Sequence, residues 1–74
     1  MPTYARGDRI IFTGELSAEL YGIAGIVLRR RISNGHYVYD IQISAHLPSN
    51  IPFLNLSAKG VASGVASAWF ELLR

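Results

Sequence analysis

The chain has no cysteine. Neither a disulfide nor a thiolate metal site can brace it, and a reducing compartment fits that composition. Charge is also scarce. Acidic and basic side chains make up 16% of the 74 residues, and the formal net charge is +2. That small excess hints at anionic partners but falls short of the basic footprint of a dedicated nucleic-acid binder. No apolar run approaches the ~18 residues needed to cross a bilayer. The start, Met1-Pro2-Thr3-Tyr4, leads straight to a charged turn without a secretory pattern. A cytoplasmic protein is the expectation.

Half of the residues are apolar, enough for one compact core. A chain of this length forms one domain and buries only ~60% of its unfolded surface. We read residues 1–74 as that domain, with 1–5 as a lead-in. Nine of the twelve charged residues lie between Arg6 and Asp40. From Ile41 to Phe70 the only formal charge is Lys59. The second half therefore either folds into the core or meets a partner.

Turn and strand signals alternate along the chain. Gly7-Asp8 is a turn, since glycine accepts positive φ and aspartate bonds its own backbone. Ile10-Ile11-Phe12 follows as a strand with Ile10 and Phe12 inside. Residues 15–21 form a loop with a single helical turn, anchored by Leu16, Leu20 or Tyr21. In Tyr21-Gly22-Ile23-Ala24-Gly25-Ile26-Val27, two glycines three apart open an apolar run. The second strand covers residues 25–32. Asn34-Gly35 between two strand-like runs predicts a type I′ hairpin. The third strand, residues 36–43, puts Tyr37, Tyr39, Ile41 and Ile43 on one face and Val38, Asp40 and Gln42 on the other.

Beyond it the pattern weakens. Residues 45–52 read as an irregular loop containing Pro48 and Pro52. Residues 53–56 read as a fourth strand. In residues 61–67 Val-Ala-Ser occurs twice at a period of four. That period suits a helix, but Gly60 and Gly64 oppose one by roughly 1 kcal/mol each, so strand, helix and loop all stay open. Residues 68–73 close the chain as a strand, or as a short 3-10 turn plus strand.

Five short strands around an Asn-Gly hairpin point to an all-β fold, a small open barrel. Gly7-Asp8-Arg9-Ile10 resembles the Gly-Asp-x-Val lead into the first strand of SH3-like barrels. The 21–27 stretch resembles the Gly-x-x-Gly-x-Val element of KOW-type domains. Tyr39-x-Ile41-x-Ile43 resembles the alternating third strand, and Phe70-Glu71-Leu72 the closing one. The spacing is also similar to that of the small SH3-like stromal subunit of photosystem I. The resemblance covers residues 6–43 and the last few. Residues 44–67 have no counterpart. It implies a five-stranded SH3-like barrel, with nucleic-acid binding on the KOW side and protein assembly on the other.

No catalytic constellation stands out. His36 and His46 have no acidic or nucleophilic neighbour at a telling spacing and read as structural or solvated. No ligand spacing suits a metal, and Gly22-x-x-Gly25 lacks the Lys-Ser/Thr of a phosphate loop. No serine lies in a nucleophile elbow. No enzyme and no cofactor are expected.

Two surfaces remain. Arg29-Arg30-Arg31 is either a solvated run guarding a sheet edge or an anion or nucleic-acid contact, reinforced by Arg6, Arg9 and His36. Ile51, Phe53, Leu54, Trp69 and Phe70 either complete the core or form an apolar face for a protein partner, a homodimer included. The reading is a non-catalytic interaction module that binds a protein partner. Nucleic-acid binding through the arginine strand is the alternative.

Overall fold

The computed structural model describes residues 3–44, 51 and 54–73. Strand β1 (Arg9–Phe12) buries Ile10 and Phe12 and leaves Arg9 outside. A loop then carries a 3-10 turn, Ala18–Leu20, whose start is capped by the Ser17 hydroxyl accepting from the Glu19 N–H. Leu20, rather than Tyr21, is its anchor: Leu20 is fully buried and Tyr21 is 76% exposed. The backbone returns to β1 where Gly22 N–H donates to the Phe12 carbonyl and Phe12 N–H to that of Ile23.

Strands β2 (Ala24–Ser33) and β3 (His36–Ile43) form a long antiparallel hairpin. Its turn has Asn34 at φ 51° and Gly35 at φ 79°, the two positive values that a type I′ turn requires. Gly25 lies on β2 opposite Ile43 of β3. A Cβ there would sit 2.6 Å from Ile41 Cγ2 and 2.9 Å from the Gln42 carbonyl oxygen. Of the two glycines in the 21–27 stretch, Gly25 is thus a packing requirement.

Strand β4 (Asn55–Leu56) pairs with β5 (Val61–Ala66). A second 3-10 turn, Ser67–Trp69, leads into β6 (Phe70–Leu72), which returns to pair with β1. All pairings are antiparallel, and the sheet runs β4-β5-β3-β2-β1-β6 without closing. The described residues contain no α-helix.

The all-β class agrees with the sequence reading, but the described residues form six strands, where the sequence reading has five. The additional one is the segment left open at 61–67. Its Ala62 and Val65 are buried three apart because the strand bulges at Ser63–Gly64, which breaks the period-two signal. The fourth strand is shorter than expected: Asn55–Leu56 is extended, and Phe53 lies outside the described residues. So does most of the loop expected at 45–52.

The core draws on every strand but β4. Tyr39, Phe12, Phe70 and Tyr4 form an aromatic cluster with ring centroids 4.8–6.1 Å apart, mostly edge-on. Tyr4 reaches it from the lead-in, and its backbone N–H donates to the Tyr39 hydroxyl at 3.2 Å. Ile10, Leu20, Val27, Ile41, Ile43, Ile51, Ala62 and Val65 fill the rest.

Candidate interaction surface

The β2–β3 hairpin overhangs the sheet. Strand β1 pairs with Ala24 to Ile26, and the last contact on that side is Val27, which exchanges backbone hydrogen bonds with Gly7 and Asp8. Farther along, β2 is paired with β3 alone. The arginine run therefore sits in an interior strand of the sheet order, but in the half of it whose outer side has no partner strand among the described residues.

The two-residue turn sets the register: Ser33 faces His36, Ile32 faces Tyr37, Arg31 faces Val38, Arg30 faces Tyr39 and Arg29 faces Asp40. Leu28 is then an extra residue, because Val27 faces Ile41. On the other side of β3, Tyr39 faces Val65 and Ile41 faces Ala62, so Ser63 and Gly64 together oppose Asp40. Asp40 lies between two bulges. Each bulge aims a donor at its carboxylate.

Arg29 Nε donates to Asp40 Oδ2, and Arg31 Nη2 to Oδ1 at 2.8 Å. The backbone N–H of Gly64, at φ 69°, also donates to Oδ1 at 3.2 Å. Asp40 is only 3% exposed although it shares the outward face of β3 with Val38 and Gln42. Burial by itself pushes its carboxyl upward. The bonds from Arg29, Arg31 and Gly64, with the Arg31 charge, outweigh that and hold it below the usual carboxylate range. Both arginines remain largely solvated, Arg29 more than Arg31.

Arg30 points to the other face. Its guanidinium carbon stands 4.8 Å from the centroid of the Tyr37 ring, a cation–π contact. Beside it Ile32 is 71% exposed and Tyr37 45% exposed. Tyr37 lies on the face of β3 that Tyr39, Ile41 and Ile43 turn to the core, but the overhang carries it past the end of the core. An open groove of about 500 Å³ runs beneath the hairpin from Thr3 past Tyr37 and Tyr39 to Ala66 and Ala68. A second one, about 720 Å³, lies between Tyr4, Asp8, Ile11, Glu71 and Leu72. The described residues hold no cluster of histidine, aspartate and glutamate able to bind a metal. No helix among them is long and apolar enough to cross a membrane.

The apolar residues of the second half are placed differently from a contact face. Ile51 and Phe70 belong to the core and offer no area to a partner. Leu54 and Trp69 are partly buried against that core. Phe53, like His46, lies outside the described residues. Of the described second half, Leu72 and Leu73 are the large apolar side chains that stay exposed, and the most exposed of the whole described set are Tyr21 on the first loop and Ile32 and Tyr37 on the hairpin. Neither Arg6 nor Arg9 joins the arginine cluster in an ion pair with Asp40, and His36 is exposed beside the turn.

Sequence reasoning missed Asp40. The register implied by Asn34-Gly35 places Asp40 across from Arg29, so that pair was within reach. The Gly64 contact was not, because it depends on a bulge in a strand the sequence left undefined. Comparison with protein-family models, with curated proteins and with solved structures gives no match.

Proposed function

We propose that this chain is a non-catalytic interaction module on an SH3-like barrel, and that it binds a protein partner through the overhanging β2–β3 hairpin. The barrel reading rests on chain order: the last strand follows a 3-10 turn and pairs back onto the first. The single observation behind the binding reading is the exposure of Ile32 and Tyr37 as cross-strand neighbours, with Arg30 stacked on the tyrosine. A large exposed aliphatic beside an aromatic–arginine pair is the composition found at interface anchors.

Nucleic-acid binding through Arg29, Arg30 and Arg31 is the second reading, favoured by the Arg30–Tyr37 stack, which a base could extend. Against it, Asp40 engages two of the three guanidinium groups, and the net charge is +2. Binding of that kind would weaken steeply as salt rises.

A displayed random-peptide library panned on the native chain and on Ile32→Asp tests the first reading. Selection of a peptide class by the native chain, lost in the variant while its circular dichroism is unchanged, is the expected result. Failure to enrich any class, or equal enrichment by both proteins, refutes it.

A further inference from the structure

Among the described residues, the outer side of β2 past Val27 has no backbone partner. In a two-residue hairpin the residues flanking the turn exchange both backbone hydrogen bonds, and the direction then alternates along the strand. Ser33, Arg31 and Arg29 thus spend their backbone groups on β3. Arg30 and Ile32 turn theirs the other way. No backbone bond to them from another loop or strand is found among the described residues. Such an edge accepts an added strand.

Its side chains select what can be added. Arg29 and Arg31 stand on one face and Arg30 and Ile32 on the other, so a strand laid alongside meets guanidinium groups on both faces. Asp40 is the only acidic side chain paired with any of them among the described residues. A second copy would bring its own three arginines against these, and like charges across a strand pair are destabilising. A nucleic acid would use the charge but leave the N–H and C=O groups of the edge without an antiparallel match.

Resting on the interaction-module reading above, we infer that the outer edge of β2 at Arg30 and Ile32 receives an extended acidic peptide segment of another protein as an added β-strand. Its carboxylates would meet the arginines and one apolar side chain would lie against Ile32. Main-chain bonds supply the attachment and the arginines its selectivity.

The test uses the isotope-labelled full chain and a short synthetic peptide alternating glutamate and valine. Amide hydrogen exchange and amide shifts are read residue by residue. The glutamate peptide should slow exchange at Arg30 and Ile32 by roughly tenfold or more, since newly paired strand amides are protected. Its lysine counterpart should not. A glutamate peptide N-methylated on alternate residues, which cannot donate to the edge, should lose the effect. The proposal is overturned by no protection at millimolar peptide, or by equal protection with the N-methylated peptide. It is also overturned if a single-stranded oligonucleotide protects the same amides, or if protection appears with protein concentration alone. If library selection depends on Ile32 but the edge amides stay unprotected, the interaction module stands and strand addition falls.

Discussion

Replacing Asp40 with asparagine removes one charge and little volume, so it tests the bulge-bound carboxylate directly. The native carboxylate accepts from Arg29, Arg31 and the Gly64 N–H while 3% exposed. Hydrogen bonds to a charged group are worth ~1.5–3 kcal/mol when well buried. Both guanidinium groups keep about half or more of their side-chain surface in water, and solvent cuts such pairs to ~1 kcal/mol or less. Two discounted pairs and a weakened Gly64 bond make a loss of about 2–3 kcal/mol. The asparagine amide also turns an N–H₂ toward one guanidinium, donor against donor. A domain of this length has ~4–11 kcal/mol in total, so the variant should melt ~10–20 °C lower.

Acid gives the control. The folded carboxyl is more acidic than in the unfolded chain, where it titrates near ~3.9. Its contribution is therefore complete above about pH 5 and disappears as pH falls past ~4 through the lower folded value. Urea unfolding followed by circular dichroism at pH 7 and again near pH 3 measures both halves. The gap between native and Asp40→Asn should be wide at neutral pH and narrow in acid. A gap below ~0.5 kcal/mol at pH 7, or one that does not shrink in acid, refutes the electrostatic account. The first outcome would place the arginine–aspartate group among surface ion pairs that contribute nothing measurable.

Two more substitutions examine the joint and the aromatic cluster. Gly25→Ala introduces a Cβ 2.6 Å from Ile41 Cγ2 and 2.9 Å from a backbone oxygen; overpacking of this kind should cost ~1–3 kcal/mol in urea melts, and a neutral result would mean that β2 and β3 separate more easily than their packing implies. Tyr39→Phe keeps the ring but leaves the Tyr4 N–H without its acceptor, which should cost ~1–3 kcal/mol and speed amide exchange at Tyr4, whereas unchanged exchange there would show the bond to be dispensable.

What the sequence made legible was local. Residues 36–43 alternate cleanly, and β3 occupies that span. Asn34-Gly35 adopts the two positive φ values that few other residue pairs accept. Ile10 and Phe12 are buried as period two requires. The weaker readings were those in which a contact from another part of the chain overrides the local pattern. Residues 61–67 stay open between strand, helix and loop in the sequence, because Val-Ala-Ser recurs every four positions while Gly60 and Gly64 oppose a helix. Val61–Ala66 is a strand because β3 on one side and β4 on the other supply its hydrogen bonds, and the bulge at Gly64 shifts the spacing. For Ile51, Phe70 and Trp69 the sequence leaves core and partner face both open, because a count of residues does not reveal how much volume a core can hold.

The sequence by itself determined the strand class, the hairpin and its register, since each depends on residues a few positions apart whose backbone preferences are intrinsic. With that register came the pairing of Ile32 with Tyr37 and of Arg29 with Asp40. Only the tertiary structure decided which of these pairs reach solvent and which are enclosed. β1 is shorter than β2, so the hairpin overhangs, Tyr37 leaves the core and the edge at Arg30 and Ile32 has no partner among the described residues. β5 bulges where it meets Asp40, so an aspartate on an outward face becomes the buried acceptor of two arginines and a backbone amide. Both outcomes depend on the relative lengths and offsets of strands far apart in the chain, and no local preference encodes those.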